Sequence, residues 1–182
     1  SILPTIQSRC QLIKFSSIPR EILLKQLQEQ GVTYSMAATV SEVTNSFDVA
    51  IQLSQDEQFA LARKTVLKLV KTVKQNVHEA MLIVYDELLP HFKEKSELDF
   101  VLDLLLFVYR DIVAIKANPE SECTYPDMVQ AWKEIALSST YEQLSNQMQA
   151  ILVARQNIGR NMNRTLLMEQ LMLKLQEGYT FV

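Results

Sequence analysis

The stretch 98–115, LDFVLDLLLFVYRDIVAI, decides how the rest of the chain is read. Leu98, Val101, Leu102, Leu105, Tyr109, Ile112 and Ile115 recur at the three- and four-residue spacing of one helical face, and Leu104, Leu106 and Phe107 make the segment apolar almost all round. A helix of that kind belongs at the centre of a bundle. Asp99, Asp103, Arg110 and Asp111 interrupt it, and a lone bilayer span hardly tolerates four charges. The expectation is a soluble, all-α protein built around this helix.

Upstream, Phe59, Ala62, Val66, Leu69 or Val70, and Val73 share one helical face, and Val77, Met81, Val84, Leu88 and Phe92 form the next stripe. Downstream, Asn118-Pro119-Glu120-Ser121-Glu122 has loop composition, and Tyr125-Pro126-Asp127 reads as the cap of a short helix reaching about Leu137. Leu144, Met148, Ile151, Arg155 and Ile158 mark another helix; Leu167, Leu171 and Leu175 mark the last, which Gly178 closes. Before Ser54 the segments are shorter. One helix starts within Ser16 to Glu21, with Pro19 near its first turn, and closes at Gly31; two more run from about Tyr34 to Val43 and from about Ser46 to Leu53. Gln11 to Phe15 alternates polar and apolar as a short strand does, the one such stretch in the chain. These patterns predict a strand-like start at 1–15, a three-helix unit at 16–54, and a bundle of five or six helices at 55–182.

Of 182 residues, 48% are apolar and 21% charged, which suits a packed core. Only 3 Gly and 5 Pro occur, so tight turns are few and helices long. A net charge of −3 gives no global reason to expect nucleic-acid binding. Cys10 and Cys123 form no framework spacing, which points to a reducing compartment and a cytoplasmic protein; no secretion signal is expected, and a start at Ser1 suits a fragment.

Most chemistries are excluded by what their sites require. A phosphate-cradling loop needs glycines, and none lies between Gly31 and Gly159. His78 and His91 lack the glutamate three residues earlier that a di-iron bundle uses. Cys123 sits in an acidic loop that raises a thiol pKa, so it is read as passive. Lys64, Lys68 and Lys71 stack at i, i+4 and i+7; a phosphate track is one reading, a solvated helix face the preferred one. No metal or cofactor is expected.

Leu3-Pro4-Thr5-Ile6-Gln7-Ser8-Arg9-Cys10-Gln11, followed by Ile13-Lys14-Phe15, is more specific, and so is the far end, where Asn161-Met162-Asn163-Arg164 leads into the leucine-rich run Leu166 to Leu175. Both resemble the subunits of bacterial clamp loaders, members of the AAA+ ATPase family that serve the replicative DNA polymerase. The resemblance implies that residues 1–15 end a nucleotide-binding domain with its Ser8-Arg9-Cys10 motif, that 16–54 form a lid, and that 55–182 form a collar joining the motor (gamma/tau) and delta subunits. It implies that Arg9 is an arginine finger donated in trans to ATP on a neighbour, a role suited to a planar, permanently charged guanidinium. Sliding clamp and primer-template DNA are then met only through the whole complex, with no membrane and no small-molecule substrate.

Many clamp-loader lids carry Gly-Ser-x-Arg-x-Ala, the arginine sensing nucleotide in cis; here the segment is Asn45-Ser46-Phe47-Asp48-Val49-Ala50. The sensing arginine is missing, which favours a non-hydrolysing subunit over a gamma/tau motor subunit. A ligand-binding helical regulatory domain, with the 98–115 helix lining its pocket, is the rival from another class. No convergent acid, base or nucleophile supports an enzyme. Leu166, Met168, Met172 and Leu173 lie off the Leu167, Leu171, Leu175 line, so the last helix is read as two-faced and these four as its subunit interface.

Overall fold

The computed structural model describes residues 18–158 and 163–177. The strand expected within Ile2 to Phe15, the Ser8-Arg9-Cys10 motif and the Gly178 stop lie outside them. Among the described residues the regular structure is entirely helical.

Three short helices come first. Pro19, with φ −55° and no N–H to leave unsatisfied, precedes α1 (Arg20–Glu29), and Gly31 takes φ 85° just after it, a left-handed conformation that a side chain would strain. Thr33 caps α2 (Tyr34–Val43) through a hydrogen bond from the Met36 N–H. Ser46 precedes α3 (Phe47–Gln55), whose first turn carries Asp48 where the helix dipole favours an anion. Leu23, Leu27, Ala37, Val40 and Ala50 form a small core with Phe59, which comes from the next helix.

Six further helices follow. Asp56 caps α4 (Glu57–Gln75) by accepting the Gln58 N–H at 2.8 Å. The whole expected stripe, Phe59, Ala62, Val66, Leu69, Val70 and Val73, is buried. Asn76 accepts the His78 and Glu79 N–H groups to start α5 (Val77–Ile83). This helix then widens into a π turn over Val84–Leu88, where the Leu89 N–H reaches back five residues to the Val84 carbonyl. A Glu94/Glu97 capping box opens α6 (Lys95–Ala117). Its expected stripe is buried throughout, and α4, α7 and α8 pack around it, so the central placement holds.

A connector, residues 118–128, ends in a 3-10 turn, Pro126–Met128. Beyond it come α7 (Val129–Ser138), α8 (Tyr141–Ile158) and α9 (Arg164–Glu177). Asn163 accepts the Thr165 and Leu166 N–H groups at the start of α9. Trp132 and Tyr109 are fully buried in the large core that α4 to α9 enclose. The buried side chains therefore fall into two clusters, with Val43 and Phe100 half-buried against both.

Candidate assembly surface

Helix α9 decides which of its residues can meet a partner. At about 100° per residue, Leu167, Met168, Leu171, Met172 and Leu175 share one continuous arc. All five are buried; Met168 and Met172 have no exposed area and belong to the chain's own core, where α9 packs on α4, α5 and α8. The four residues expected at an interface thus divide. Met168 and Met172 widen the core stripe, because residues one and five beyond Leu167 still fall within an arc of about 140°. Leu166 and Leu173, seven residues apart and so nearly in line, sit on the opposite side, 47% and 39% exposed.

The neighbouring helix extends that exposed face. Leu82 is 57% exposed and Tyr85 37%, one turn apart on α5 and its π turn. The Tyr85 phenol donates a hydrogen bond to the Glu169 carboxylate, which lies between Leu166 and Leu173 on α9. That hydrogen bond, then desolvation and the negative charge of Glu169, hold the phenol above its ordinary ionisation range. The result is an apolar strip of two leucines from α9 and a leucine and tyrosine from α5, tied across by one polar bridge. Leu82 and Tyr85 were missed in the sequence because the stripe Val77, Met81, Val84, Leu88 accounts for α5 as a core helix and leaves its outer residues unremarked. An apolar residue standing off an already complete stripe was the available signal.

Other expected sites lie elsewhere. Lys64, Lys68 and Lys71 are exposed on α4, with Lys68 paired to Glu87, as a solvated face requires. Cys123 is buried in the connector and desolvation, with Asp111 nearby, pushes its thiol up to about 11, so a nucleophilic role has no support. Among the described residues no group of three or more His, Cys, Asp or Glu is placed to hold a metal, and no helix is long and apolar enough to cross a membrane. Two apolar hollows touch α6, one of about 260 Å³ beside Phe59, Phe92 and Phe100 and one of about 220 Å³ beside Ile115 and Leu137, at its opposite ends.

An outward apolar strip on a closed helical bundle is the signature of a protein that assembles with others. Residues 57–177 match the family described as DNA polymerase III, delta subunit, C terminal, and the chain belongs to that family. It is similar to DNA polymerase III subunit delta' of Bacillus subtilis, 37% identical over 177 residues, which cover 97% of this chain and 54% of that protein. The chain therefore spans about half the length of this relative.

Proposed function

We propose that the chain is the lid and collar of a delta'-type clamp-loader subunit, an assembly part and not itself a catalyst, working in the bacterial cytoplasm where sliding clamps are loaded on DNA. Residues 16–54 act as the lid and 55–182 as the collar, which joins the helical domains of the motor (gamma/tau) and delta subunits. The observation that carries this reading is the coincidence of two facts. The family match covers the six-helix group, and that group closes its own core yet leaves Leu82, Tyr85, Leu166 and Leu173 outside. Burying such a strip against a partner helix gains about 25 cal/mol per Å² of apolar surface removed from water.

The paired substitution Leu166→Asp with Leu173→Asp should abolish co-purification with a motor-subunit collar while circular dichroism is unchanged. Retained binding by this folded variant moves the interface to another face.

Arg9 carries the second part of the proposal. It serves as a finger in trans, its guanidinium donating to the charge spread over a transferring phosphoryl group on a neighbouring subunit. Arg9→Ala, made in the full-length protein, should leave assembly intact and lower the clamp-dependent ATPase of the complete loader by 10³-fold or so at the affected site, in line with fingers on other nucleotidases. Failure of assembly to the same degree would make Arg9 structural.

A further inference from the structure

The connector between α6 and α7 makes more polar contacts than a link of eleven residues needs. It turns back along α6 and is gripped there. Asp111, 3% exposed, accepts the Thr124 N–H and hydroxyl through one oxygen, both at 3.0 Å, and the Tyr125 N–H through the other at 2.9 Å. The Tyr125 phenol donates to the Leu104 carbonyl at 2.8 Å, two turns further back on the same helix. A buried carboxylate inside an apolar helix is costly unless its oxygens are satisfied, and here three donors from two consecutive connector residues satisfy them.

The outer side of the same connector holds the first two helices, α1 and α2. The Thr39 hydroxyl of α2 stands 3.0 Å from the Thr124 carbonyl and accepts from Arg63 Nε at 2.9 Å; Arg63 also pairs with Asp127. Arg20, the first residue of α1, pairs with Glu42 and Glu122 at 2.9 and 3.0 Å and donates to the Cys123 carbonyl. Arg110 donates to Glu42 and to the Thr124 hydroxyl. These contacts join residues far apart in sequence; Arg20, Thr39, Arg63 and Arg110 reach the connector at Glu122, Cys123, Thr124 and Asp127, and Glu42 ties Arg20 to Arg110.

We infer that Asp111 is a positioning residue: by clamping Thr124 and Tyr125 it fixes the connector as the bracket that sets the lid's orientation on the collar. The naming of the two helical groups as lid and collar rests on the clamp-loader reading above. The orientation itself is a property of this chain and is tested without any partner.

The test uses the whole chain with bioorthogonal spin labels at two exposed positions, Gln28 on α1 and Gln149 on α8. Asp111→Asn replaces an acceptor by a donor facing a backbone N–H. Thr39→Val is nearly isosteric and removes the hydroxyl from the other side of the bracket. Both variants should broaden the label-to-label distance distribution and quicken amide exchange at Thr124 and Tyr125 by about tenfold or more, while exchange in α4, α6 and α8 is unchanged. Thr39→Val alone suffices should Asp111→Asn not fold. An unchanged distance distribution in the folded variants overturns the inference, and so does broadening accompanied by equal loss of protection in α4, α6 and α8.

Discussion

The two cores differ in what they need from each other. The first is made by helices of 10, 10 and 9 residues, and two of its six buried members are alanines. Helices that short are marginal in water unless an apolar face is covered, and Ala37 and Ala50 supply little area. Its bulkiest buried side chain, Phe59, is delivered by α4 of the other group and packs at 5.7 Å on Phe100 from α6. The second core rests on helices of 19, 23 and 18 residues and closes without any buried side chain from α1 to α3. Dependence therefore runs one way: the first three helices borrow their anchor from the six-helix group, and that group takes no buried side chain back.

Three variants grade this asymmetry. Met172→Asp buries a carboxylate with no partner in the large core and should cost more than about 4 kcal/mol, collapsing both groups together. A single cooperative loss of far-UV dichroism checks it, and a folded variant would show that α9 is dispensable to the core. Phe59→Ala removes the shared anchor at a cost of about 3 kcal/mol. Its effect should fall on α1 to α3, seen as faster amide exchange there with α6 and α8 still protected; uniform loss would mean that the two cores melt as one. The double change Leu166→Asp with Leu173→Asp touches only solvent-facing positions and should shift stability by about 0.5 kcal/mol per site or less, read from urea midpoints. A larger loss would place that face inside the fold.

The helical class and the central role of 98–115 were legible because every stripe repeated at helical spacing and its apolar members pack. The helix expected from about Tyr34 to Val43 spans those residues, with Thr33 as its cap. The π turn over Val84–Leu88 was not legible, since Val77, Met81, Val84 and Leu88 carry the same spacing an unbroken α-helix would show. The interface reading of Met168 and Met172 failed on arc width: a stripe of three leucines looked complete, yet α9 has three neighbouring helices to cover and buries five residues. Asp111 was read only as a charge that a membrane span would reject. Its place three after Val108 and four before Ile115, within the buried stripe, marked it as an inward carboxylate in need of partners. What spacing could not supply was the identity of those partners, because Arg20, Thr39 and Arg63 reach the connector across sequence separations of 64 to 103 positions.

Trp132 gives this asymmetry an optical form. It is the chain's one tryptophan, and it lies fully buried in the larger core with its indole N–H lacking a hydrogen-bond partner. Its emission should follow the six-helix group around it, while ellipticity at 222 nm sums every helix. A temperature interval in which ellipticity falls and the emission maximum stands still would record α1 to α3 letting go first.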